Sequence, residues 1–155
     1  MGLGFARGRV MMRGNEAMYR MFGYEKEQIE GRDTRLLYAT DQEYERVGRI
    51  FAEQIHARGR VDVETQMVRR DGTVMDCLMQ GYPVEPGDED SVVVVGIMDI
   101  SGRRQQEQRM RRLQSAMEQA AEMIVLTDMD GVVQFANPAF ERMTGLPLSE
   151  VRGER

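Results

Sequence analysis

Apolar and polar positions follow two different periods along the first hundred residues. Short apolar segments at residues 3–5 and 10–12 flank Gly8 and predict a small β-hairpin. Over residues 16–57 apolar positions recur every three or four residues, which predicts helices. The longest stripe of this kind comprises Tyr44, Val47, Ile50, Phe51, Ala52 and Ile55. A hairpin followed by helices is therefore expected in the first part of the chain.

The residues at the ends of these stripes indicate where the helices begin and end. Asn15 is a favoured N-cap, because its side-chain oxygen can accept an unpaired backbone N–H, and Gly23 suits the end of a short helix. One further helical turn is expected to bury Ile29. Asp41 is then expected to cap a long helix that Gly59 ends.

A strand period replaces the helical one after residue 60. Val, Thr and Met alternate with acidic residues and Gln over residues 61–67, and Asp71-Gly72 is a strong hairpin signal. The return strand is expected at residues 74–82, and a largely buried strand at residues 92–100. Together these segments predict three antiparallel strands.

The register of the first pair follows from matching its apolar faces. This matching sets Met67 opposite Cys77 and Thr65 opposite Met79. Such pairing requires a loop with an odd number of residues.

Composition and charge exclude several classes of protein. The chain has 155 residues, of which 41% are apolar and 30% charged, and its formal net charge is -5. The acidic balance argues against a nucleic-acid partner, and one Cys cannot form an internal disulfide. The longest purely apolar run, residues 92–95, is far shorter than the ~20 residues of a membrane helix. We therefore expect a cytoplasmic protein without a membrane span in this segment.

A long polar helix is predicted after residue 100, with Ser101 as its N-cap. Its apolar positions alternate steps of three and four, as in the seam of a coiled coil. These positions, which we expect to form a homodimer seam, are Met110, Leu113, Met117, Ala120 and Ile124. The arginines of its first half favour a solvated face, and a DNA- or phosphate-binding patch is the alternative.

The chain contains an internal repeat. Alignment of Asn15 with Asn137 gives identical residues at Val10/Val132, Asn15/Asn137, Ala17/Ala139, Arg20/Arg142, Met21/Met143, Gly23/Gly145 and Gly31/Gly153. The second copy predicts a strand, a turn at Asp130-Gly131, another strand and a helix that Gly145 ends. It stops before the elements that would complete its sheet, so we expect a piece of a longer protein.

These segments resemble the PAS family of sensory domains, including its PAC segment. The resemblance rests on Gly14-Asn15-Glu16-Ala17, Met21-Phe22-Gly23-Tyr24, Arg69-Arg70-Asp71-Gly72 and Asp99-Ile100-Ser101 in the first copy, and on Asp128, Asp130-Gly131 and Asn137-Pro138-Ala139-Phe140 in the second. Their order and spacing match the family across almost the whole chain.

The resemblance implies an α+β fold, with a five-stranded antiparallel sheet and helices on one face. It places a PAS domain at residues 3–100, a linker helix at 101–122 and the N-terminal part of a second PAS domain at 123–155. It also implies a sensing or signal-relay module of a bacterial signalling protein, upstream of a covalently linked output domain such as a histidine kinase or a cyclic-dinucleotide enzyme. A ligand-free dimerisation or spacer module is the alternative.

Candidate sites are few. The sequence has no Ser-His or Cys-His pattern, Gly-rich phosphate loop or metal-ligand cluster, so we expect no catalytic site and no metal. Asp88-Glu89-Asp90 is interpreted as a solvated acidic loop. No cofactor is expected, although a small molecule could occupy an apolar pocket lined by Met67, Met75, Cys77, Met79 and Met98.

Haem and flavin are the less favoured alternatives. His56 is the only candidate haem ligand, but it lies at the end of its helix. Cys77 is on a strand, outside the Asn-Cys-Arg motif of the flavin-binding members that form a thiol adduct. Neither residue supports a cofactor.

The junction of sheet and linker helix is the expected relay. Asp99 and Ser101, on either side of Ile100, could hydrogen-bond the first backbone N–H groups of the helix. Movement of the last strand would then reorient the helix.

Overall fold

The computed structural model describes residues 1–88 and 90–154, except for the side chain of Leu148. Glu89, within the predicted acidic loop, and Arg155 therefore lie outside the described residues. The elements are β1 (Gly2–Arg7), β2 (Val10–Gly14), α1 (Glu16–Phe22), α2 (Lys26–Ile29), a 3₁₀ helix (Thr34–Leu37), α3 (Asp41–Arg58), β3 (Val61–Val68), β4 (Val74–Pro83), β5 (Val93–Asp99), α4 (Ser101–Gln119), β6 (Val125–Thr127), β7 (Val133–Ala136), α5 (Pro138–Thr144) and α6 (Leu148–Val151). They form two compact units, Met1–Arg104 and Gln105–Arg155.

The first unit contains a five-stranded antiparallel sheet. The spatial order is β2-β1-β5-β4-β3, so the two hairpins are joined by the central strand β5. The helices between β2 and β3 cover one face, where the alternating residues Val61, Val63, Thr65 and Met67 are buried. The predicted α+β fold with a five-stranded sheet is confirmed.

The ends of the helices show which local sequence signals predicted a helix boundary correctly. The Asn15 side chain accepts the Met18 N–H at 2.9 Å, and Gly23 adopts a positive φ of 72° at the end of α1. In α3 the N-cap is Thr40, whose hydroxyl accepts the Glu43 N–H at 3.1 Å. The prediction of Asp41 as that cap is wrong by one residue, because Asp41 is already helical and pairs with Arg35.

The register of β3 and β4 differs from the predicted one by two residues. Met67 pairs with Met75, and Thr65 pairs with Cys77. The Arg69 N–H donates to the Thr73 carbonyl at 2.9 Å, which closes a short loop and brings the return strand back early. The loop is odd-numbered, as expected, and a two-residue shift leaves every side chain on its predicted face.

Strand β5 is half-buried rather than largely buried. Ile97 is buried, but the neighbouring Met98 is 46% exposed. The apolar run predicted burial on both faces, whereas helices cover only one face of the sheet and the other face of this central strand remains accessible.

Helix α4 ends at Gln119 and not at residue 122. The Asn137 amide Nδ2 donates to the carbonyls of Met117 and Glu122, at 3.0 and 2.9 Å. A helix that continued would use the Met117 carbonyl for its own hydrogen-bond ladder. Ala120 and Ile124 consequently lie beyond the helix and are half-buried in the second unit.

The internal repeat is also a structural repeat. Asn15 accepts the Leu3 and Met18 N–H groups, and Asn137 accepts those of Ile124 and Phe140. Further equivalent bonds run from Gly31 to the Met11 carbonyl and from Gly153 to the Val133 carbonyl, at 2.7 and 2.9 Å. Aligned residues of the two copies therefore make the same backbone contacts at the start of the fold.

Candidate functional site

A cavity lies inside the first unit, between the helix-covered face of the sheet and the segment from the 3₁₀ helix to α3. Its volume is about 230 Å³. Every strand of the sheet contributes to its wall, which is formed by Gly4, Ala6, Gly8, Arg9, Met11, Met18, Thr34, Leu37, Tyr38, Val47, Gly48, Phe51, Met67, Met79, Ser91, Val93, Val95 and Ile97. The wall is mainly apolar with a few polar groups, as in small-molecule sites generally.

The predicted pocket residues separate into three groups. Met67 and Met79 line the cavity. Met75 and Cys77 are buried in the core but do not contribute to the described wall, and burial raises the pKa of the Cys77 thiol to about 12. Met98 is exposed, because its place on β5 directs it to the uncovered face of the sheet. Its assignment to the pocket is wrong.

Tyr38 supplies a polar group at the wall. The side chain is almost fully buried, and its hydroxyl donates to Met79 Sδ at 3.9 Å. A thioether is a weak acceptor. The Tyr38 ring also contacts the edge of Tyr44, with 5.4 Å between ring centres.

Arg9 is the charged residue of the described wall. It lies in the tight turn between β1 and β2 with a φ of 67°, which is rare for a residue with a side chain. Its guanidinium stacks on the Tyr44 ring, with Cζ 3.2 Å from the ring centre, and donates to the Tyr44 carbonyl. A Cβ on Gly48 would lie 2.6 Å from Arg9 Nη1, so this position of Arg9 depends on glycine.

The described wall of the cavity includes neither of the two residues considered for an axial haem ligand and a covalent flavin adduct. A volume of about 230 Å³ is below the ~300–1,000 Å³ of pockets for drug-sized ligands. In the described part of the chain, His56 is exposed in the last turn of α3, and neither it nor Cys77 lines the wall.

The junction between the sheet and α4 forms a second polar site. Asp99 Oδ1 accepts the Ser101 N–H at 2.9 Å, and Asp99 Oδ2 accepts from Arg69 Nη2 at 3.0 Å. Although partial burial alone would raise the pKa of Asp99, the bond from Ser101 and the charge of Arg69 lower it. Arg69 also donates to the Met21 carbonyl at 2.6 Å, which links the junction to α1.

Ser101 is not the N-cap that the sequence predicted. It is the first residue of α4, and its hydroxyl accepts the Asp76 N–H of β4 at 2.9 Å. Asp99 instead holds the first helical N–H. The Ser101 hydroxyl therefore links α4 to strand β4 and does not accept a backbone N–H of its own helix.

Arg104 extends this attachment one turn further. Its guanidinium donates to Asp76 Oδ1 at 3.0 Å and also to Glu64, so it contacts both β4 and β3. All three side chains are partly exposed, at 46%, 28% and 45% for Arg104, Asp76 and Glu64. Together Ser101, Arg104, Asp76, Glu64 and Asp99 form what we term the junction cluster.

The predicted dimer seam is divided by the end of α4. Met110 and Leu113 are 66% and 52% exposed, and Met117 is half-buried. Ala120 and Ile124 belong to the segment after the helix. Three of the five predicted positions thus share a helix.

Several residues of both sites were not predicted from the sequence. Arg104, Asp76 and Glu64 meet across separations of 28 and 40 residues, and no local pattern indicates such a contact. Tyr38 lies outside every helix or strand period, in the segment after the 3₁₀ helix. The only signal for Arg9 was its place beside Gly8 in the predicted hairpin.

The described residues contain no helix long and apolar enough to span a membrane. They also contain no group of three or more His, Cys, Asp or Glu placed to bind a metal.

Comparisons with known proteins agree with the geometry. The PAS domain family matches at residues 2–102, and a second PAS domain family matches at residues 111–155. Sensor protein TdiS of Thauera aromatica is 25% identical over 101 residues, which cover 65% of this chain but only 18% of that protein.

Solved structures show the same fold. The PAS domain of a LuxR-family transcriptional regulator from Burkholderia thailandensis, in complex with ethanol, has a TM-score of 0.60 and 25% identity, covering 64% of this chain and 88% of that one. A sensory box histidine kinase/response regulator from the same species has a TM-score of 0.59 and 19% identity, covering 77% and 91%. Because a PAS domain family matches well over half of its residues, this chain belongs to the PAS domain family of sensory modules.

Proposed function

We propose that this chain is a cytoplasmic sensor and signal-relay segment of a longer signalling protein, in which α4 passes a conformational change from the first PAS domain to a linked output domain. The junction cluster is the observation that supports this proposal. Strands β3, β4 and β5 all contribute to it, and each of them also lines the cavity. A displacement of these strands would therefore act on the first turn of α4.

The hydrogen bonds of the junction cluster are suited to switching. Arg104, Asp76 and Glu64 are partly exposed, and solvent and salt weaken ion pairs of this kind. A relay needs only a few kcal/mol between two arrangements of a helix. The attachment is thus strong enough to orient α4 and weak enough to be rearranged.

Hydrogen exchange measures this attachment directly. In Ser101→Ala and Arg104→Gln, we expect faster amide exchange both in the first turn of α4 and around Asp76, by about fivefold for the loss of one hydrogen bond. Arg111→Gln, a change at an exposed arginine of the same helix, is the matched control. Unchanged exchange in both junction variants, or equal changes in the control, would refute the relay.

Dimerisation is the second part of the proposal. Met110 and Leu113 lie one turn apart on α4 and are mainly exposed in a mainly polar helix. We propose that two copies of the chain pair along this face. Sedimentation of Leu113→Gln should show loss of dimer relative to the native chain, whereas Gln108→Ala, a polar position on the same helix, should retain it. A native chain that sediments as a monomer would overturn this part.

The output domain is proposed from the relatives. The sensor protein from Thauera aromatica is much longer than the matched segment, and one structural neighbour is a histidine kinase/response regulator. A histidine kinase or a cyclic-dinucleotide enzyme is the proposed output. Ser101→Ala in the longer protein should change its basal output or its response, while Arg111→Gln should not. If Ser101→Ala, like Arg111→Gln, left the output of the longer protein unchanged, this result would count against the relay.

A ligand-free spacer remains the competing function. The observation that favours a sensor over a spacer is the cavity, because a spacer has no need of unfilled volume in its core.

A further inference from the structure

The Tyr38 hydroxyl is a weakly satisfied polar group of a residue in the wall of the cavity. Tyr38 is only 6% exposed, and the acceptor of its hydroxyl is Met79 Sδ at 3.9 Å. Both residues of this hydrogen bond line the cavity. A buried hydroxyl normally has an oxygen or nitrogen partner.

The hydroxyl is a donor at every physiological pH. Burial raises the pKa of Tyr38 well above its usual range, so the phenol stays protonated. The hydroxyl donates to the weak acceptor Met79 Sδ, so a ligand with an oxygen acceptor would replace a weak hydrogen bond by a stronger one. A carbonyl, ether or alcohol oxygen meets this requirement.

The charge at the wall favours a neutral ligand. Arg9 is already engaged by the Tyr44 ring and carbonyl, and its Nη1 lies 3.9 Å from Glu45 Oε1. The Tyr44 hydroxyl donates to Asp33 at 2.7 Å, which places a second carboxylate beside the same stack. A buried anion would need a cation that these groups already share, whereas a neutral molecule would not.

The volume limits the size of the ligand. A dry apolar cavity of about 150 Å³ binds benzene, so a cavity of about 230 Å³ accommodates about nine non-hydrogen atoms. Four methionines and three valines contribute to the described wall, and methionine adapts to irregular shapes. One ring with a short substituent matches this volume.

We infer that the cavity binds a small, uncharged, mainly apolar molecule with a single oxygen acceptor, which the Tyr38 hydroxyl holds. This inference rests on the proposed sensory function and specifies what the sensor detects. The shape of the cavity and this one hydrogen bond select the ligand. Arg9 forms part of the wall but makes no ion pair with the ligand.

Three probes of nearly equal shape separate the contributions. Cyclohexyl methyl ketone has the carbonyl acceptor, isopropenylcyclohexane replaces that oxygen by carbon, and cyclohexanecarboxylate replaces the methyl ketone by an anion. Binding to the full chain is measured by ligand-observed NMR titration. We expect the ketone to bind about 3- to 10-fold more tightly than the alkene, the gain of one hydrogen bond, and the carboxylate to bind more weakly than either.

Tyr38→Phe tests the anchor, and Tyr44→Phe is its matched control, since the Tyr44 hydroxyl bonds Asp33 and does not line the described wall. In Tyr38→Phe the ketone should lose the same 3- to 10-fold, while the alkene should bind as before. Tyr44→Phe should change neither affinity.

Each contrary result overturns a stated part. Equal ketone affinity in Tyr38→Phe and native protein would show that Tyr38 is not the anchor. If the carboxylate bound more tightly than the ketone, and Arg9→Gln abolished that binding, the site would be one for anions. Absence of binding by all three probes would refute the ligand class. None of these outcomes alters hydrogen exchange in Ser101→Ala or Arg104→Gln, so a failure of the relay is detected separately.

Discussion

Replacement of Glu43 by glutamine tests how α3 is held over the sheet. The Glu43 carboxylate accepts from Arg46 Nε at 2.9 Å, from the Thr65 hydroxyl at 2.8 Å and from the Gln66 N–H at 3.3 Å. The bond with Arg46 first, and those from Thr65 and Gln66 after it, lower the pKa of Glu43 from 4.5 to about 2, against the effect of burial. One carboxylate thus joins α3, which covers the cavity, to β3.

The size of the effect follows from this lowered pKa. A change from 4.5 to about 2 corresponds to about 3 kcal/mol of folding free energy at neutral pH. The Arg46 side chain is 39% exposed, so screening by solvent reduces this to about 1–2 kcal/mol. Because the folded-state pKa is the lower one, the contribution is complete above pH 4.5 and is lost as the pH falls towards about 2.

Urea denaturation of the native chain and of Glu43→Gln at several pH values measures this contribution. We expect the variant to be about 1–2 kcal/mol less stable at pH 7, with a difference that shrinks below pH 4.5. Glu53→Gln, at an exposed position of the same helix, should stay within ~0.5 kcal/mol of the native chain. A difference between native and Glu43→Gln that is absent at pH 7, or that does not vary with pH, would refute the reasoning.

Three further substitutions test the packing. Gly81→Ala should destabilise the protein by about 1–3 kcal/mol in urea denaturation, because its Cβ would lie 2.6 Å from Phe51 Cζ. Gly102→Ala, with no atom near its Cβ, should be neutral or stabilising by up to ~1 kcal/mol. Equal effects of the two substitutions would contradict this prediction. Ile29→Ala should cost about 2–5 kcal/mol in the same assay, since Ile29 is fully buried, and a loss below ~1 kcal/mol would contradict its place in the core. Asn137→Ala should cost the second unit about 2 kcal/mol and accelerate proteolysis of residues 105–155, because four hydrogen bonds are lost; native-like resistance would count against this role.

Local signals predicted most of the fold correctly. Asn15 and Gly23 specify a helix start and end through their own backbone neighbours, and the alternation over β3 reports a sheet with one covered face. The same residue types at Asn137 and Gly145 give the same local structure in the second copy. Such features need no knowledge of distant residues.

Features set by distant contacts were predicted less well. The end of α4 depends on Asn137, which takes the Met117 carbonyl from 20 residues away. The exposure of Met98 depends on which face of the sheet the helices cover. A heptad pattern in the sequence indicates neither where a helix ends nor which face of a sheet is covered. The predicted seam therefore includes Ala120 and Ile124, which lie beyond the helix.

The two candidate sites differ in the same way. Met67 and Met79 were assigned to a pocket because alternation places them on the covered face, and they do line the cavity. Tyr38 and Arg104 were missed because their roles arise from partners 41, 28 and 40 residues away.

If this PAS domain is a sensor, a ligand in the cavity changes how the sheet holds α4. The most direct test is amide exchange of residues 101–104 in the native chain, with and without saturating cyclohexyl methyl ketone, and again in Arg104→Gln. We expect the ketone to change exchange in this turn by at least about twofold in the native chain, and to change it less in Arg104→Gln. Bound ketone with unchanged exchange at residues 101–104 would show that the cavity is not coupled to α4.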